Sequence, residues 1–77
     1  MTPAQCRAAR AILRWTQDEL ASKSQVSSLT LRNFETEKAD VRPGTVTLIA
    51  RALEEAGIEF IPGGARLREQ AAEASAS

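Results

Sequence analysis

Two helix starts lie eleven residues apart in this chain, and they leave few folds open. The first reads Trp15-Thr16-Gln17-Asp18-Glu19-Leu20 and the second Val26-Ser27-Ser28-Leu29-Thr30-Leu31. In each, a hydroxyl residue stands at an N-cap position, where its oxygen can take a free backbone N–H. An apolar residue just before the cap and another at the fourth helical position have the spacing of a hydrophobic staple. Thr16 and Glu19 add the spacing of a capping box. The pattern predicts a short helix over about 17–24, a tight turn, and a second short helix over about 28–36. Two short helices joined this way form a helix-turn-helix.

The flanks supply the rest of a small bundle. Thr2, Pro3 and Gln5 open a first helix that runs to about Arg14, with Cys6, Ala9, Leu13 and Ile12 at helical spacing. A fourth helix is expected from about Gly44 to Ala56, with Val46, Ile49, Ala52 and Leu53 as its buried stripe and Gly57 as its C-cap. Ile58, Phe60 and Ile61, then Ala65 and Leu67, flank Pro62-Gly63-Gly64 and read as a short β-hairpin, the other reading being an irregular arm. A hairpin of this size is marginal alone, so it must dock on the bundle or pair with a second chain. Ile58, Phe60, Ile61 and Leu67 are therefore the candidate dimer interface. The chain divides into residues 1–57, the helical unit; 58–68, the hairpin or dimerisation arm; and 69–77, a small, polar stretch read as a flexible tail.

Composition removes most other functions. Seventy-seven residues make one domain with one small core. Its aromatics are Trp15, Phe34 and Phe60, so that core is mostly aliphatic, which suits helices. There is no histidine and one cysteine, Cys6, which leaves no internal disulfide, no metal-ligand cluster and no His-based triad. No Gly-rich phosphate loop is present. No enzyme, metal or cofactor is expected. No run of eighteen apolar residues and no signal-like start occur, so a soluble, cytoplasmic, nucleoid-associated protein is the expectation and no membrane partner is foreseen. The net charge is zero, but residues 1–38 hold six basic and four acidic side chains and residues 39–77 the reverse.

The combination resembles the Cro/repressor (XRE) family of phage and bacterial regulators. TQDELA is similar to the opening of that family's second helix. VSSLTLRNFE is similar to its turn and recognition helix, with Val26, Leu31 and Phe34 at the apolar positions. Leu48 to Leu53 resembles its fourth helix. The resemblance covers roughly residues 3–57. It implies an all-α, four-helix, lambda-repressor-like domain with a C-terminal β-hairpin or arm, binding double-stranded DNA. Arg10 and Glu35 match a pair that in many members forms a buried ion pair between the first and third helices. Two turn positions usually held by glycine carry Gln25 and Glu37 instead. A positive φ at such a residue costs about 1–2 kcal/mol.

The residue types agree with major-groove reading. A recognition helix enters the groove with its N-terminal turn leading. Asn suits adenine, Arg suits guanine, Ser and Thr are less selective, and apolar groups meet the thymine methyl. Ser28, Leu29, Thr30, Arg32 and Asn33 form that set. Gln17, Ser27, Lys38 and Arg42 are the expected phosphate contacts, Gln17 because a helix N-terminus favours an anion. Asp18 and Glu19 sit in a first turn that favours acids, and Glu35 faces Arg10, so the surface left for DNA carries Arg32 and no carboxylate. Contacts so sparsely charged call for a homodimer on a palindromic operator, as a repressor or autoregulator. The competing reading is a protein-interaction module, such as an antitoxin or anti-activator, that uses the same fold on a protein partner.

Overall fold

A computed structural model describes residues 1–68. Residues 69–77, read above as a tail, lie outside the described residues. The elements are α1 (Pro3–Leu13), α2 (Gln17–Ser24), α3 (Ser28–Thr36), α4 (Pro43–Glu55), β1 (Ile58–Ile61) and β2 (Gly64–Leu67). Four helices and an antiparallel two-stranded hairpin make the lambda-repressor-like arrangement.

Local chemistry starts each helix. Thr2 and Gln5 close a full capping box on α1, and Thr16 and Glu19 close one on α2. Ser27 accepts the Thr30 backbone N–H at 3.1 Å and caps α3. Arg42 caps α4 without a side-chain bond, and Pro43 takes the first helical position, one residue earlier than the glycine expected there.

The first three helices stop in one way. Arg14, Gln25 and Glu37 each adopt left-handed backbone, with φ of 58°, 59° and 57°. Each is followed by the two reversed hydrogen bonds of a Schellman motif: Trp15 to Arg10 and Arg14 to Ala11, Val26 to Ala21 and Gln25 to Ser22, Lys38 to Asn33 and Glu37 to Phe34. Orphan carbonyls are thereby satisfied with no glycine present. The strain at each position, about 1–2 kcal/mol, is held by the packing on either side. The sequence pattern runs the first helix to about Arg14; the structure ends it at Leu13 and makes Arg14 the turn residue.

The core lies where the helices converge. Cys6, Ala9, Leu20, Ala21, Val26, Leu31, Ile49, Leu53 and Ile58 are buried in one cluster, with Trp15, Phe34, Phe60 and Ala65 packed against it. Each fully buried Leu or Ile contributes roughly 1.5–3 kcal/mol. Among the described residues Ser24 is the buried hydroxyl residue, and it donates to the Leu20 carbonyl at 2.7 Å. Val46, expected in the buried stripe of α4, is half-buried, and Ile49 and Leu53 form that stripe's buried part.

The hairpin docks on the bundle. Ile58 pairs with Leu67 and Phe60 with Ala65, and Pro62-Gly63 make the two-residue loop. Gly63 has φ +76°, which the second loop position of a Pro-Gly type II turn requires. Gln5 donates from α1 to the Ile61 carbonyl at 2.8 Å, pinning the loop end of the hairpin. Ile58 is 1% exposed and belongs to the core, which corrects its assignment to a dimer surface. A strand residue that fills its own domain's core cannot meet a partner. Phe60 is half-buried for the same reason, whereas Ile61 and Leu67 remain exposed.

Candidate nucleic-acid interface

The position of α3 is set from behind by Glu35. Its carboxylate receives two hydrogen bonds from Arg10, Nε to Oε2 at 2.7 Å and Nη2 to Oε1 at 2.8 Å. Gln17 Nε2 donates to Oε1 at 2.9 Å, and the Cys6 thiol donates to Oε2 at 3.2 Å. Arg10 also donates to the Trp15 carbonyl at 3.0 Å, and Arg7 donates to the Glu35 backbone carbonyl. One buried carboxylate thus ties α1 and α2 to α3, and Arg10 extends the tie to the α1–α2 turn. Burial pushes the Glu35 carboxyl up, but the hydrogen bonds from Arg10, Gln17 and Cys6 outweigh it and hold it below the ordinary range. The bond to Glu35 raises Arg10 in turn. Burial, then the bond to Glu35, pushes the Cys6 thiol far up, so it stays protonated and serves as a donor.

The opposite face of α3 is open. Leu29 is 62% exposed, Arg32 is exposed, and Thr30 and Asn33 are half-buried along the same face. Leu29 is the most exposed of the large apolar residues. The ion pairs among the described residues are Arg10–Glu35 and Glu59–Arg66, so Arg32, Lys38 and Arg42 stand outside both. A recess of about 250 Å³ brings Thr30 and Asn33 together with Arg42 and Thr45. The loop after α3 therefore meets the open face of that helix, with Arg42 at the N-terminus of α4. Lys38 is exposed one residue beyond the α3 turn. Asp40 lines the same recess, and with Glu37 it lines a second one on the same loop, so the cations there are offset.

Three of the side chains expected to contact DNA are already engaged within the domain. Gln17 spends one amide N–H on Glu35, which leaves the second for a phosphate. Ser27 donates to Thr30 Oγ1 at 2.8 Å while capping α3, so its hydroxyl proton is taken. Ser28 donates to Asp18 Oδ1 at 2.7 Å. That last bond corrects the expectation of a reading face without carboxylates: Asp18 leans from α2 across to the first residue of α3. The sequence carries no sign of it, because the two residues are ten apart and on different helices.

A family model described as helix-turn-helix matches residues 7–60, which is more than half of the chain. Comparison with curated proteins finds none that matches. No helix among the described residues is long and apolar enough to cross a membrane.

Proposed function

The chain belongs to the helix-turn-helix family of Cro/repressor-type DNA-binding regulators, and from that premise we propose that it is a homodimeric repressor or autoregulator of an inverted-repeat operator. The observation that carries this reading is the open face of α3, where Leu29, Arg32 and Asn33 stand outward on a helix fixed from behind. Leu29 offers an apolar contact to a thymine methyl, Arg32 a bidentate fork to guanine, and Asn33 a bidentate amide to adenine. Lys38, Arg42, the free amide proton of Gln17 and the backbone at Ser27 hold phosphates. So few cations give one domain a weak grip and a shallow salt slope. Two copies, with their α3 helices roughly 34 Å apart, read two half-sites and add their contacts. Ile61 and Leu67 are the exposed large apolar residues of the hairpin; the strand register sets them on opposite faces of it, so each is tested separately as a contact between the two copies.

Selection from a random DNA pool at physiological salt tests this reading. It predicts an enriched inverted repeat with half-sites one helical turn apart, and loss of binding with Asn33→Ala or Arg32→Ala. Enrichment of a single unrepeated half-site would remove the dimer. No enrichment, with capture of a protein partner through Leu29, would favour the interaction-module reading. Leu67→Glu and Ile61→Glu should shift sedimentation from dimer toward monomer.

A further inference from the structure

We propose that Asp18 and Ser28 act as one acceptor-only reader, selecting a base whose major-groove edge presents an exocyclic amino group. This rests on the DNA-binding reading above and adds a specificity residue from outside α3. The direction of one proton carries the inference. Ser28 Oγ gives its hydrogen to Asp18 Oδ1 at 2.7 Å, so the serine oxygen has only lone pairs to offer outward. The carboxylate is itself acceptor-only. Ser28 is the first residue of α3, in the turn that leads into the groove, and Asp18 is exposed beside it. In the major groove, cytosine N4 and adenine N6 carry donors, whereas guanine N7 and O6 and thymine O4 are acceptors. The pair therefore favours cytosine or adenine on the strand it faces. It opposes guanine and thymine there, because two acceptors meet with no proton between them. A free serine hydroxyl would rotate to suit either edge; the bond to Asp18 removes that choice.

The discriminating experiment compares base preferences, selected from one random pool at one salt concentration, for wild type, Asp18→Asn and Ser28→Ala. Asp18→Asn keeps the size of the side chain and adds an N–H₂ donor. The expected result is that wild type prefers cytosine or adenine at one position in the half-site by about tenfold. Asp18→Asn flattens that position to about twofold or less, keeps the rest of the site, and stays folded, with a melting temperature lowered only by the loss of one first-turn acid. Ser28→Ala weakens the same position. A uniform gain in affinity for Asp18→Asn with every base preference unchanged would overturn the inference, because Asp18 would then act only by repelling phosphate. If wild type itself enriches no sequence, the DNA-reading proposal fails and this inference falls with it.

Discussion

The inner and outer faces of α3 are built on opposite terms. Inward, Glu35 is 2% exposed and its carboxylate takes hydrogen bonds from Arg10, Gln17 and Cys6. Outward, two turns of the same helix expose Leu29 and Arg32, residues that offer contacts and receive few. The difference separates two tasks on one short helix. The inner face fixes where the helix points, and the outer face is left incomplete for something else to complete. The proposed reading role would need both, because an edge contact within a groove is worth little if the helix can rock.

That contrast breaks most sharply at Glu35. Glu35→Ala leaves the Arg10 guanidinium without its partner, and Arg10→Ala leaves a buried carboxylate; each should lower the unfolding free energy by about 3–5 kcal/mol. Chemical denaturation measures it. Near wild-type stability for both variants would show that the inner face does not hold the fold. The outer face should respond the other way round. Arg32→Ala and Asn33→Ala should each cost about 1–3 kcal/mol of sequence-specific binding, with a melting temperature within a degree or two of wild type. A variant that lost binding only by unfolding would erase the distinction.

Acid sharpens it further. Glu35 is held below its unfolded value, which is about 4.3 for a free glutamate. Its contribution is therefore fully present above that pH and is lost as the pH falls through the folded value. Melting temperature measured from pH 7 down to pH 3 should drop for wild type, and Glu35→Gln, already less stable, should show a shallower drop.

These contacts mark how far the sequence could be read. The capping boxes at Thr2–Gln5 and Thr16–Glu19 and the cap at Ser27 are signals three residues apart, and local geometry makes them visible in a bare string. The family's glycine positions pointed to the left-handed turns at Gln25 and Glu37, and both turns are there. Arg14 escaped because an arginine after an apolar stripe looks like one more helical residue. Ile58 escaped because alternation in a strand shows which residues share a face and not what covers that face. The Asp18–Ser28 bond and the inward turn of Gln17 join separate helices, and no periodicity within one helix encodes them.

The smallest effects lie at the turns that end α2 and α3. Gln25→Gly relieves the left-handed strain and should stabilise the domain by about 1 kcal/mol, with binding unchanged. Glu37→Gly should give a similar gain and also tighten DNA binding severalfold, since it removes a carboxylate beside Lys38. Equal effects of the two variants on binding would mean that the loop after α3 does not approach phosphate.

The separation of the two faces is most directly tested by a residue-resolved NMR titration of the protein with its selected DNA site. The account predicts perturbed resonances at Gln17, at residues 27–33 including the Asn33 side-chain amide, and at Lys38 and Arg42. Cys6 and Leu53 should stay in place. Perturbations centred on α4 or the outer hairpin face, with the α3 residues unmoved, would contradict it.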